Sequence, residues 1–119
     1  MLDDLKLISE IDKSNMINAV AAFPEQIKET KNIVNSVLFD GFLKINNIVI
    51  SGMGASAISG DIVQNLLKDR IDVPVFVNRQ YDLPKWVDKN TLLISQSYSG
   101  DTEETLSTFK SGSQKRCKI

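Results

Sequence analysis

Residues 92–102 read LLISQSYSGDT, and this stretch predicts a buried strand followed by a hydroxyl-rich turn. The run 92–94 is wholly apolar, as is typical of a strand covered on both faces of a parallel sheet. The turn carries three hydroxyl side chains, Ser97, Ser99 and Thr102, and a helical pattern follows at 101–109. A strand, a polar turn and a helix in this order indicate an α/β protein.

A second stretch of the same kind lies earlier in the chain. Residues 48–50 read IVI and predict another buried strand, which leads through the turn 52–56, GMGAS, into a helix. We also expect a strand at 73–77 and the start of a fourth at 117–119. Strands that alternate with helices predict a parallel, doubly wound sheet with right-handed crossovers. Because such sheets have about 5 to 6 strands, we expect this one to be incomplete at its C-terminus, in a truncated chain.

The first 40 residues show helical patterns only. We therefore expect an N-terminal helical segment at 1–40 and a partial α/β domain at 41–119. Ser14 is the expected N-cap of one helix, and Pro24 suits the first turn of the next, which should stop at Asp40 and Gly41. Apolar stripes on two helices are predicted to face the core, namely Phe23, Ile27, Val34, Val37 and Leu38 on the first and Ile58, Ile62, Val63, Leu66 and Leu67 on the second.

Composition excludes several classes of function. The chain has 119 residues, with 14 basic and 15 acidic side chains and a net charge of -1, so neither nucleic acid nor an anionic membrane is an expected partner. No apolar run approaches the roughly 18 residues of a membrane span, and the start is acidic where a signal peptide is basic. A cytoplasmic location is therefore expected.

The inventory of reactive side chains is small. Cys117 is the single cysteine, which excludes an intramolecular disulfide and a thiolate metal cluster. The chain has no histidine, so any acid–base chemistry of its own must use carboxylates, lysine or tyrosine. No metal site is expected.

Both turns suit a phosphate group. A helix N-terminus offers unpaired N–H groups and the positive end of the helix dipole, and Gly52 and Gly54 allow close approach of the backbone, while Ser56 adds a hydroxyl. If the strand order is 2-1-3, both turns lie at one edge of the sheet and can share one phosphate. Neither turn contains lysine, which argues against a P-loop.

Other interpretations of the first turn stay open. A glycine-bearing turn also serves simple packing between a strand and a helix. The spacing of Gly52, Gly54 and Ala57 matches the dinucleotide-binding fingerprint, which calls for an acidic residue after the second strand. The sequence has Asn78 and Arg79 there instead, and an arginine suits the 2′-phosphate of NADP, so an NADP-binding domain stays an alternative.

The second turn has an alternative of its own. Asp101 and Glu104 have the spacing of a capping box, which would explain a polar cluster without any ligand. The negative charges of Glu103 and Glu104 interact favourably with the dipole of the following helix, but they would repel a phosphate unless they point away from it.

The residues at 52–56 and 95–105 together resemble the sugar isomerase (SIS) domain. More narrowly, they are similar to the N-terminal SIS domain of the bifunctional phosphoglucose/phosphomannose isomerases of archaea and some bacteria. Segments 12–16, 23–26 and 83–87 are also similar to that subfamily, so the resemblance extends to about Phe109. Two departures are Ala55, where the family often has glycine, and Asp101, where asparagine is frequent.

This resemblance implies a flavodoxin-like, three-layer α/β/α domain and the interconversion of glucose 6-phosphate or mannose 6-phosphate with fructose 6-phosphate. It implies no metal or organic cofactor and a homodimer formed through SIS domains. The positions that match the family's binding site for the phosphate of a hexose 6-phosphate are Gly54, Ala55, Ser56, Ser97, Ser99 and Thr102.

The resemblance assigns no catalytic residue to this chain. The family's ring-opening histidine, its proton-transferring glutamate and its supporting arginine and lysine come from later in a longer chain. Glu103 and Glu104 do not match the glutamate. We therefore expect sugar-phosphate binding without catalysis by this chain alone. The alternatives are a stand-alone sugar-phosphate sensor module and an NADP-binding domain.

Overall fold

A computed structural model describes residues 3–36 and 44–119. The chain divides into two compact units, Met1–Gly41 and Phe42–Ile119, and each is described by itself. Among the described residues, no helix has the length and apolar character that a membrane crossing requires.

Over its described residues, the first unit contains three helices, α1 (Leu5–Ile11), α2 (Met16–Ala21) and α3 (Phe23–Ser36). The prediction that Ser14 caps a helix is wrong. The Asp12 carboxylate accepts hydrogen bonds of 2.8 Å from the backbone N–H groups of Met16 and Ile17, and these bonds hold the pKa of Asp12 below its ordinary value. Each oxygen of the carboxylate accepts one of these two bonds, and the Ser14 hydroxyl itself donates to Asp12 Oδ1 at 3.4 Å instead of capping the helix. Pro24 lies in the first turn of α3, as predicted.

The predicted core stripe of α3 is also wrong over its described residues. Phe23, Ile27 and Val34 are more than half exposed, because a unit of three short helices has too little surface to enclose them. Val37, Leu38, Asp40 and Gly41 lie outside the described residues.

The second unit is built on three parallel strands, β1 (Asn47–Ser51), β2 (Val75–Asn78) and β3 (Thr91–Ser95), in the order β2-β1-β3. The predicted α/β fold with a parallel sheet is thereby confirmed. β2 begins after Pro74, which cannot donate a hydrogen bond but accepts one from the Ile48 N–H at 2.9 Å. Beyond β3, Lys118 forms a parallel bridge with Leu92, at the place predicted for a fourth strand.

Two helices, α4 (Gly54–Leu67) and α5 (Glu103–Gln114), cover opposite faces of the sheet. Val49 and Leu93 face one side, where they pack with Leu83 and Val87 of the connection before β3. α5 lies on this side, since Gly112 sits against the side chains of Leu93 and Leu83. Successive residues of a strand face opposite sides, and Ile50 accordingly meets Gly60 of α4.

The face of α4 that packs on the sheet differs from the predicted stripe. Its buried residues are Ala57 and Gly60, whereas Ile58, Ile62 and Leu66 are more than half exposed. Small residues let the helix backbone approach the sheet closely, and a Cβ at Gly60 would already lie 3.0 Å from Ile50. The face of α4 that packs on the sheet is therefore the one with the smallest side chains, not the most hydrophobic one.

The helix α5 extends beyond the predicted segment 101–109, to Gln114. The polar sequence at its C-terminal end obscured this, because Gly112, a poor helix former, is there as a buried packing residue.

Candidate functional site

The turns after β1 and β3 are in direct contact at the carboxyl edge of the sheet. Ser51 pairs with Ser95 in the strand register, and the Gln96 N–H donates to the Ser51 carbonyl at 2.8 Å. A Cβ at Gly52 would lie 3.0 Å from the Gln96 carbonyl oxygen, so this position requires glycine for close approach of the two backbones. The strand order therefore makes the two predicted turns neighbours.

A side-chain link joins the same two turns. The Ser59 hydroxyl oxygen lies 2.8 Å from both the Ser56 carbonyl oxygen and Gln96 Oε1. Gln96 thereby ties the end of β3 to the first turns of α4. Ser59 and Gln96 were not predicted as site residues, and no local signal in the sequence identifies them, because the two partners are 37 residues apart.

The three hydroxyls predicted in the second turn form one cluster. Ser97 Oγ lies 2.8 Å from Thr102 Oγ1 and 3.3 Å from Ser99 Oγ, and Ser99 lies 3.4 Å from Thr102. The backbone N–H of Gly100 donates to Ser97 Oγ at 3.0 Å. Gly100 has a φ of +83°, a conformation that permits this tight turn and that other residues rarely adopt.

Both helices at this edge begin without a cap from their own N-cap side chain. Met53 is the N-cap of α4, and Gly54, Ala55 and Ser56 form its first turn. Thr102 is the N-cap of α5, yet its hydroxyl faces Ser97 and Ser99 and makes no cap bond. The capping-box interpretation is therefore wrong, since Asp101 is not the N-cap.

Two buried hydroxyl side chains of α5, Thr105 and Thr108, form hydrogen bonds to residues at the ends of β1 and β3. Thr108 Oγ1 and Ser51 Oγ lie 2.7 Å apart, and both residues are almost completely buried. Nearer the turn, the Thr105 hydroxyl donates to the Gln96 carbonyl at 3.4 Å. These contacts set the position of the α5 N-terminus relative to β1 and β3.

Two side chains from the segment after β2, Tyr81 and Arg79, contact the helices α5 and α4. The Tyr81 hydroxyl donates to Glu103 Oε2 at 3.1 Å, and chiefly this hydrogen bond raises the pKa of Tyr81 above its ordinary value. Arg79 forms an ion pair with Asp61 of α4. No contact was predicted for Tyr81 from the sequence, and Arg79 was considered as a partner for the 2′-phosphate of NADP.

The structure does not favour the dinucleotide interpretation at the end of β2. Asn78 is buried, and its side-chain amide donates to the Gln80 carbonyl at 3.0 Å. The ion pair with Asp61 occupies Arg79, the cation that a 2′-phosphate would require.

Other reactive groups are sparse. Within residues 3–36 and 44–119, no group of three or more cysteine or acidic side chains is placed to hold a metal ion. The Cys117 thiol donates to the Asp88 carbonyl at 3.3 Å, and chiefly burial raises its pKa above the ordinary value, which favours the protonated form of the thiol.

Comparisons with known proteins give a family name. No protein-family model and no solved structure matches the chain. Curated relatives do match the chain, and each of them is named as a bifunctional phosphoglucose/phosphomannose isomerase. The protein of Caldicellulosiruptor bescii is 43% identical over 108 residues, or 87% of this chain and 31% of the relative. That of Thermoplasma acidophilum is 42% identical over 95 residues, or 77% of this chain and 30% of the relative.

A third relative, from Aquifex aeolicus, is 47% identical over 64 residues, or 53% of this chain and 20% of the relative. The chain thus spans less than a third of the length of these relatives. The resemblance noted in the sequence is confirmed: the chain is a homologue of one part of the bifunctional phosphoglucose/phosphomannose isomerases.

Proposed function

We propose that this chain forms the hexose 6-phosphate site of an isomerase that interconverts glucose 6-phosphate or mannose 6-phosphate with fructose 6-phosphate. The cluster of Ser97, Ser99 and Thr102 at the N-terminus of α5 carries this proposal. Three hydroxyls gathered around one point suit the oxygens of a phosphate monoester. The names of the relatives supply the reaction.

The chemistry of the cluster favours an anion. Each hydroxyl can turn its proton from a neighbouring oxygen to a phosphate oxygen, and hydrogen bonds to a charged group contribute about 1.5–3 kcal/mol each. The first turns of α4 and α5 add backbone N–H groups and the positive ends of two helix dipoles. In this proposal Gly54, Ala55 and Ser56 contact the phosphate from the α4 side.

The proposed role of the chain is to bind and orient the sugar phosphate. Isomerisation also needs a group that moves a proton between C1 and C2, and we assign no residue of this chain to that step. Hydroxyls and backbone amides are well suited to hold the phosphate while another part of the enzyme reacts with the sugar. We further propose a cytoplasmic homodimer, without an organic cofactor or a metal.

A titration with fructose 6-phosphate tests the proposal. The ¹⁵N-labelled chain should show shifts of the amide signals of Ser97, Ser99 and Thr102 at lower ligand concentrations with fructose 6-phosphate than with fructose. NADPH serves as the competing ligand for the dinucleotide alternative. Equal responses to the sugar with and without its phosphate would contradict the proposal, as would tighter binding of NADPH.

A further inference from the structure

We infer that Tyr81 is a positioning residue, which holds the Glu103 carboxylate so that its charge does not oppose phosphate binding at the neighbouring hydroxyl cluster. This inference rests on the proposed function and adds a residue to the site. Tyr81 is not among the residues that the sequence indicated for phosphate binding.

The contact crosses the carboxyl edge of the sheet. Tyr81 follows β2 and Glu103 begins α5, and β1 lies between β2 and β3. The strand spacing of about 4.8 Å places the ends of β2 and β3 about 10 Å apart. The hydrogen bond from the Tyr81 hydroxyl to Glu103 Oε2 therefore joins two elements that are not adjacent in the sheet.

The segment that carries Tyr81 is held in place on both sides. Before it, the Asn78 carbonyl accepts a hydrogen bond from the Gly52 N–H at 3.2 Å, and the Asn78 side chain bonds the Gln80 carbonyl. After it, Leu83 packs in the core. An anchored backbone lets a half-exposed tyrosine act on Glu103 from a defined position.

The charge of Glu103 is the reason that its orientation matters. Glu103 directly follows Thr102, so the carboxylate belongs to the same helical turn as the proposed phosphate site. A carboxylate there stabilises the helix dipole but repels a dianion. A hydrogen bond from a neutral hydroxyl restricts the orientation of the carboxylate and partly stabilises its negative charge. Glu104 also faces Tyr81, and its charge adds to the rise in the pKa of the tyrosine.

The test is a double-mutant cycle on the dissociation constant of fructose 6-phosphate. Tyr81→Phe should weaken binding by about three- to tenfold, because it frees the carboxylate. Glu103→Gln should tighten binding. In the Glu103→Gln background, Tyr81→Phe should have no further effect, because no charge remains to be positioned. Asp69→Asn, which removes a charge beyond the other end of α4, is the matched control and should leave the constant unchanged.

A second measurement needs no ligand. With Tyr98→Phe, Tyr81 is the single tyrosine, and its titration can be followed by absorbance. Glu103→Gln should lower the pKa of Tyr81, because the hydrogen bond to the carboxylate raises it in the wild type. An unchanged pKa would overturn the inference at the level of the contact itself.

The outcomes separate the two proposals. If the wild type binds fructose 6-phosphate and Tyr81→Phe changes nothing, the inference is overturned while the proposed function stands. An equal loss of affinity from Tyr81→Phe in the wild-type and Glu103→Gln backgrounds also overturns it, because Tyr81 then contacts the ligand itself. If neither the wild type nor Glu103→Gln binds, the proposed function fails and the inference fails with it.

Discussion

At the scale of single residues, Thr102 has the most specific position in the proposed site. It is the N-cap of α5, but its hydroxyl is directed to Ser97 and Ser99 rather than to its own helix. Thr102→Val keeps the shape of the side chain and removes the hydroxyl. We expect the affinity for fructose 6-phosphate to fall about tenfold, in line with the loss of one hydrogen bond to a charged group.

The same substitution should leave α5 intact, because the hydroxyl makes no cap bond. Circular dichroism checks the helix content, and isothermal titration measures the affinity. Thr30→Val on the exposed surface of α3 is the matched control, since its hydroxyl donates to the Gln26 carbonyl of its own helix. An unchanged affinity in Thr102→Val would show that this hydroxyl does not bind the phosphate.

At the scale of elements, α5 depends on a buried pair of hydroxyls. Thr108→Val leaves Ser51 Oγ buried without this partner, which should destabilise the fold by about 1–3 kcal/mol. Adding Ser51→Ala removes both polar groups and should recover part of that loss. Urea unfolding of the two single variants and the double variant measures the difference. Additive losses would show that the two hydroxyls do not depend on each other.

The start of α2 should depend on pH. The two backbone N–H groups that bond Asp12 favour its charged form, so the pKa is lower in the folded chain than in the unfolded chain. The stabilisation is therefore fully present above the unfolded pKa and is lost as the pH falls through the folded pKa. The amide shifts of Met16 and Ile17 should report this loss in acid. Asp12→Asn should abolish the pH dependence, and its persistence in that variant would contradict the assignment.

At the scale of the whole molecule, the two units differ in what they bury. α1 and α2 bury no side chain, whereas Val49 and Leu93 in the sheet are almost completely buried. Amide hydrogens in β1 and β3 should therefore exchange with solvent far more slowly than those in α1 and α2. Hydrogen exchange followed by NMR tests this directly. Similar protection in both units would contradict the expectation.

The sequence alone determined the features that are local. The apolar run before each turn predicted β1 and β3, and the sequence identified the three hydroxyl side chains of the second turn. Ser97, Ser99 and Thr102 lie within five residues of one another, so a single tight turn brings them together. Parallel pairing also followed, because strands alternate with helices.

Only the tertiary structure decided the contacts between distant segments. It selected Ala57 and Gly60 rather than the larger side chains of α4, because the helix approaches the sheet too closely for bulk. It also joined Ser51 to Thr108 and Tyr81 to Glu103, which lie 57 and 22 residues apart. Hydrophobic periodicity describes which face of one element is apolar, but not which residues of another element will meet it.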